Sequence, residues 1–194
     1  MHDIEPYYKW RDHYTSESDD RSPFYGRVYN EFQYTQKVYN YFIHPQWDDF
    51  GSQTLYAKIT FVDYLSGYAM IELIGEWNDC LHNDIMFLKR ELIDYMLKED
   101  IYKYIILCDN VLNFHPSDDS YYEEWYEDVS DEGGWIALIN TQEHVLKDME
   151  HIRLQNYVNI GMNLIDVLWH GKKAPLLYKE IELKLTNGQK QLGY

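Results

Sequence analysis

The side chains best suited to chemistry gather in one acidic, aromatic stretch between Ser117 and Glu132. This stretch holds eight carboxylates and no base, which is half of the chain's formal net charge of −16. Carboxylates attract basic surfaces and aromatic rings anchor protein contacts, so the stretch is typical of a docking surface for a basic protein partner. The alternative is a helix whose carboxylates only face water. The predicted partner-binding residues are Tyr121, Glu123, Glu124, Trp125, Glu127 and Asp128.

His115 suggests a different chemistry in the same region. Together with Asp118 and Asp119 it could act in general acid–base catalysis, which would make the chain an enzyme. No nucleophile or oxyanion motif accompanies this histidine, and a loop histidine before a proline is more often structural. The chain also lacks G-x-S-x-G, G-x-x-x-x-G-K-[ST], G-x-G-x-x-G and H-E-x-x-H. We therefore expect no catalytic residues and no cofactor.

A possible metal site lies further along the chain, where three side chains stand at i, i+4 and i+7 of a predicted helix. Such spacing places potential ligands on one helical face. The same spacing is that of a polar outer face opposite Val145, Met149 and Ile152, which an amphipathic helix requires. We favour the polar face and expect no bound metal. The three residues are His144, Asp148 and His151.

A β-hairpin precedes the acidic stretch. The run 55–61 places Leu55, Ala57, Ile59 and Phe61 on one face, and a Ser-Gly turn separates it from the alternating run 69–75. Two alternating runs around a glycine turn predict a hairpin. Apolar residues at helical spacing then predict a helix over 81–95.

Strands and helices alternate after the hairpin. A short apolar strand is predicted over 104–108, followed by a helix over 120–129 that Gly133 and Gly134 end. The run 135–139 is a second apolar strand, and a helix over 141–152 follows it. A last strand at 157–158 and a helix from Pro175 to Leu185 are also expected, although the latter run also fits a strand.

The N-terminal part is of a different composition. Residues 1–22 are acidic and lack apolar periodicity, which predicts an arm, while 24–43 is rich in tyrosine and valine and favours strands. Residues 23–194 then form a single α/β domain. The expected fold is a mixed β-sheet with helices packed against it: a β-β-α-β-α-β-α core with additional N-terminal strands.

Two segments carry a resemblance to a known family. Gly75 to Asp79 is similar to a "Gly-x-x-Asp" corner, and Asp109 to Asp118 is similar to a loop of the type "Asp-x-x-x-Val-x-Phe-hydrophobic-Asp-Ser-Ser-Gly". With this element order, residues 55–161 resemble the STAS domain, found in anti-sigma factor antagonists and in the cytoplasmic tails of sulphate transporters. The resemblance implies a binding module. Ser117 is the nearest match to the serine that switchable members of the family present to a kinase, although the Asp-Ser-Ser-Gly core is absent.

Charge and composition limit the function classes. With 33 acids against 17 bases the chain repels phosphate backbones, so direct nucleic-acid binding is disfavoured. Two cysteines do not form a disulfide framework, no signal peptide is evident, and no apolar run approaches the ~20 residues of a membrane span. The sequence therefore predicts a non-catalytic, cytoplasmic protein-interaction module, regulatory or scaffolding, that does not enter a membrane. The alternatives are the enzyme considered above or an acidic nucleic-acid mimic that binds a basic protein.

Overall fold

The computed structural model describes the backbone of residues 4–191 and the side chains of residues 4–187. Two short strands come first, β1 (Lys37–Val38) and β2 (Tyr41–Phe42), which pair with each other in a small antiparallel sheet. They are the additional N-terminal strands that the composition predicts, and the tyrosine-rich run before them is irregular.

A four-stranded mixed sheet forms the centre of the molecule, in the order β3-β4-β5-β6. The predicted hairpin consists of β3 (Leu55–Asp63) and β4 (Tyr68–Asn78), which are antiparallel. The strands β5 (Lys103–His115) and β6 (Trp135–Ile139) add parallel to β4 and to each other. The predicted fold class, a mixed sheet with helices packed against it, is confirmed.

Helices connect the parallel strands, and two more helices follow the last strand. Between β4 and β5 lie α1 (Asp79–His82), α2 (Asp84–Phe87), a π-helical segment (Leu88–Ile93) and α3 (Asp94–Leu97). Next come α4 (Ser120–Ser130), α5 (Glu143–His151) and α6 (Ala174–Gln191), with 3₁₀ turns at Leu154–Asn156 and Met162–Leu164. The expected last strand at 157–158 does not form; Asn159 makes a single isolated bridge to Ala137.

Both faces of the sheet are covered, because successive side chains of a strand point to opposite sides. On β5, Tyr104, Ile106 and Cys108 belong to the larger apolar core, with side chains of α2, α4, α5 and the π-helical segment. Ile105 and Leu107 belong to the second core, which α6 covers together with Trp10 and Trp169. The strands β5 and β6 are accordingly almost wholly apolar where they pair.

Phe61 departs from the predicted hairpin face. The pairing register shifts between Ile59 and Phe61, so a β-bulge interrupts the alternation. One extra residue moves every later side chain to the other face. Phe61 consequently packs against the second core, while Val62 joins Leu55 in the first.

The N-terminal segment is attached to the second core. Trp10 is buried and its indole N–H donates to the carbonyl of Lys172 at 2.8 Å. The Tyr7 hydroxyl accepts from the Gly171 amide at 2.8 Å, and the Tyr7 amide donates to Glu72 on β4, also at 2.8 Å. Residues more than 160 positions apart in the chain are thereby joined at one place.

Candidate protein-docking surface

Helix α4 divides the acidic, aromatic stretch into an inner and an outer face. Tyr122, Trp125 and Val129 point inward at the i+3 and i+4 spacing of a helix and are buried. The Trp125 ring meets Tyr104 edge-on at 5.3 Å, and the Tyr122 hydroxyl donates to Asp79 at 2.6 Å. The prediction that Trp125 contacts a partner is therefore wrong, because its ring is buried in the core between α4 and β5.

Two of the predicted partner-binding carboxylates are engaged within the chain. Arg90 binds Glu124 through both guanidinium nitrogens, at 2.5 and 2.7 Å, and these hydrogen bonds hold the pKa of Glu124 below its usual value. The buried ammonium of Lys89 lies 2.8 Å from Asp128 and also binds Asp94. Burial by itself would lower the pKa of Lys89, but the hydrogen bonds to Asp128 and Asp94 raise it. Glu124 and Asp128 thus attach α4 to the helical segment before β5.

The outer face of α4 keeps the remaining acids exposed. Glu123 and Glu127 make no ion pair with any residue of the described chain. Beside them, Tyr157 donates to Asp119 at 2.9 Å, and its ring meets that of Tyr126 at 6.3 Å. The hydrogen bond to Asp119 is the main reason that the pKa of Tyr157 is raised. We call the five residues the α4 patch: Asp119, Glu123, Tyr126, Glu127 and Tyr157.

Tyr121 lies at the border of this surface. It is half-buried against the first core, and the Arg90 guanidinium stands 5.4 Å from its ring centroid. Sequence reasoning placed Tyr121 among the contact residues but missed Tyr126 and Tyr157. Tyr126 was not among the predicted contact residues, yet 43% of it is exposed. Tyr157 lies beyond β6 and α5, so no local spacing could assign it to α4.

Ser117 lies in the loop between β5 and α4 and is exposed. The next residue, Asp118, accepts hydrogen bonds from the hydroxyl and amide of Ser120, and these bonds lower its pKa. Asp119 occupies the cap position of α4. Ser117 is thus exposed in this loop and is followed in the sequence by two carboxylates.

The proposed acid–base group around His115 is not assembled. The His115 ring lies 3.7 Å from Glu76, a residue of β4 that also accepts from the Tyr39 hydroxyl at 2.8 Å. Asp118 and Asp119 instead bind Ser120 and Tyr157. Because the three side chains have separate partners, the structure gives no support to an enzyme site built from them.

Two sets of potential metal ligands have partners within the chain, the predicted set on α5 and a second set formed between elements. On α5, the His144 ring binds the carbonyl of Leu112 at 2.7 Å. Within residues 4–187, Asp94, Glu124 and Asp128 bring ligand atoms to within 4.8 Å of one another. The Lys89 ammonium is bound by the same three carboxylates, so a cation of the chain itself already pairs with this group.

Comparisons with known proteins find a similarity in structure but none in sequence. No family model matches the chain, and no curated protein matches it by sequence. The chain is similar to the crystal structure of a Thermotoga maritima protein assigned as an anti-sigma factor antagonist, with 18% identity and a TM-score of 0.42. The match covers 58% of this chain and 86% of the other. A likeness of this degree says nothing about a partner or an activity.

A membrane span requires a helix that is both long and apolar. Within residues 4–191, no helix combines the necessary length with the necessary apolar character.

Proposed function

We propose that this protein is a non-catalytic STAS-like interaction module, regulatory or scaffolding, that binds a basic protein partner through the α4 patch. The observation that supports this proposal most is that some carboxylates of α4 are paired within the chain and others are not. Glu124 and Asp128 bind Arg90 and Lys89, whereas Glu123 and Glu127 stay exposed without a counter-charge in the described chain. Exposed acids of this kind accelerate and orient the approach of a basic surface.

The tyrosines of the α4 patch supply contact area that carboxylates lack. Tyr126 and Tyr157 present two rings next to Asp119, Glu123 and Glu127. Tyrosine is enriched among the residues that contribute most to protein–protein affinity, since it buries a large apolar ring and keeps a polar tip. The partner we expect therefore offers lysine or arginine side chains whose stems lie on these rings.

A comparative pull-down tests this proposal. The variant Glu123→Gln/Glu127→Gln removes both outward charges, and Asp148→Asn/Glu150→Gln removes two exposed charges from α5 as a matched control. From native lysate at low salt, we expect one protein to be retained by the wild type and the control but lost by the α4 variant. Equal retention by all three baits, or no specific protein on the wild type, would contradict the proposal.

Ser117 remains a candidate phosphoacceptor by its place before α4. Phosphorylation would add roughly −1.5 to −2 charges beside Asp118 and Asp119. Added to a surface that attracts a basic partner, this charge would strengthen binding rather than release the partner. Mass spectrometry of the native protein would show whether the serine carries phosphate.

A cytoplasmic location is part of the same proposal. Cys80 is exposed and Cys108 is buried, and both are free thiols. Free thiols are typical of proteins in a reducing compartment.

A further inference from the structure

A cavity of about 420 Å³ lies where the N-terminal segment meets the start of α6. One wall comes from the segment of Tyr7 and Trp10, and the other from the loop that leads to α6. The hydrogen bonds from Trp10 to Lys172 and from Gly171 to Tyr7 fix these walls to each other. This size falls in the range of small-molecule sites. Its lining comprises Tyr7, Lys9, Trp10, His13, Phe61, Gly171, Lys172, Lys173, Ala174 and Pro175.

The charge of this cavity is opposite to that of the chain. The lining contains three lysines and one histidine and no carboxylate, in a protein of net charge −16. Lys172 is neutralised by an ion pair with Glu180. The ammonium groups of Lys9 and Lys173 have no acidic partner within the described residues, and the first turn of α6 adds partial positive charge of the same sign.

The cavity also has an apolar side. Phe61 and Pro175 line it, and the buried Trp10 ring stands 6.3 Å from the Phe61 ring behind them. Two unpaired cations beside an apolar wall would suit a ligand that carries one anionic group on a flat apolar body. Inorganic phosphate would satisfy the cations alone and leave the apolar wall uncovered.

We propose that this cavity binds a small organic anion, with Lys9 and Lys173 holding the anionic group and Phe61 and Pro175 contacting the apolar body. The site lies outside the α4 patch and does not depend on the docking function. Both lysine side chains come from segments outside residues 55–161, which carry the STAS resemblance.

Titration of the full chain with phenyl phosphate tests the proposal. Inorganic phosphate serves as the anion without a ring, and benzamidine as a ring of opposite charge. We expect saturable binding of phenyl phosphate, at least about tenfold tighter than that of either control probe. In an NMR titration the indole N–H signal of Trp10 should shift, whereas that of Trp125, in the other core, should stay in place.

Two double variants separate the site from the general charge of the protein. Lys9→Gln/Lys173→Gln should weaken phenyl phosphate binding about tenfold, since it removes both unpaired ammonium groups. Lys98→Gln/Lys179→Gln changes the net charge equally at exposed positions away from the cavity and should leave affinity unchanged. The proposal is overturned if phenyl phosphate does not saturate, if benzamidine or phosphate binds as tightly, or if both variants weaken binding alike. Because all four substituted lysines are exposed, a circular dichroism spectrum suffices to confirm that each variant folds.

Discussion

At the scale of single residues, Glu72 is a carboxylate in an apolar environment. It lies in the middle of β4 and is only 3% exposed. The Tyr7 amide donates to it at 2.8 Å and the Asn110 amide at 3.5 Å, and no cation of residues 4–187 is among its partners. Burial raises the pKa of Glu72 to about 7, and the nearby Asp109 acts in the same direction.

This carboxylate should make stability depend on pH. Its pKa is about 7 in the folded chain against 4.5 ordinarily. The folded state therefore binds more protons between these values, and its stability falls as pH rises through this range. The wild type should lose about 3 kcal/mol of unfolding free energy between pH 4.5 and pH 7.5 that Glu72→Gln keeps, so the stability difference between the two proteins should grow by this amount. Urea denaturation across this range measures the gain, and a variant curve parallel to the wild type would contradict it.

Lys89 shows why the candidate site could be predicted only in part. The sequence predicted the helix over 120–129 that carries the carboxylates, because the signals that begin and end a helix are local. It could not show that Lys89 and Arg90, more than 30 positions earlier, bind Asp128 and Glu124. Which acids remain exposed is thus decided by contacts between elements.

At the scale of elements, the sequence pattern predicts a strand well where both faces of that strand pack against an apolar core. The hairpin and β6 agree with their sequence patterns for this reason. The predicted strand over 104–108 ends too early, since β5 continues to His115 through Asn110 and Asn113. These polar residues stay in the strand because they pair with β4. Asn113 also donates a hydrogen bond to the hydroxyl of Tyr39, between β1 and β2, at 2.7 Å. Such partners lie beyond the reach of a local pattern.

The two glycines that end α4 have different physical roles, which substitution should separate. A Cβ on Gly134 would lie 2.0 Å from the Tyr102 carbonyl oxygen, so the backbone would have to shift. Gly133 has open space but a φ of +68°, a conformation that asparagine tolerates. We expect Gly134→Ala to cost about 2 kcal/mol or more of unfolding free energy, and Gly133→Asn less than about 1 kcal/mol. Equal costs in chemical denaturation would argue against this assignment.

At the scale of the whole molecule, the N-terminal segment completes the second face of the sheet. Sequence composition predicts an arm at residues 1–22, which Tyr7, Tyr8 and Trp10 could attach to the domain. In the structure Trp10 lies among Phe61, Trp169 and Tyr7, with ring centroids 4.8 to 6.3 Å apart. We infer that the segment and α6 stabilise the sheet together.

Replacing Trp10 tests this inference. Trp10→Ala removes a ring that is 97% buried and its hydrogen bond to Lys172, so it should cost roughly 3–5 kcal/mol of unfolding free energy. Tyr8→Ala, at a side chain that is 54% exposed, should change the free energy by less than about 0.5 kcal/mol. Thermal or urea unfolding measures both, and a small effect of Trp10→Ala would show that the segment is dispensable.

The distribution of charge over the molecule supports the proposed interaction most directly. Exposed charges are screened beyond about 8 Å at physiological ionic strength, so binding through Glu123 and Glu127 must weaken as salt is added. The decisive measurement is the dissociation constant of the recovered partner across a salt series, for the wild type and for Glu123→Gln/Glu127→Gln. We predict about tenfold weaker binding of the variant at low salt and a clearly shallower salt dependence. A variant that folds normally and keeps both the affinity and the salt dependence of the wild type would contradict the docking role of the α4 patch.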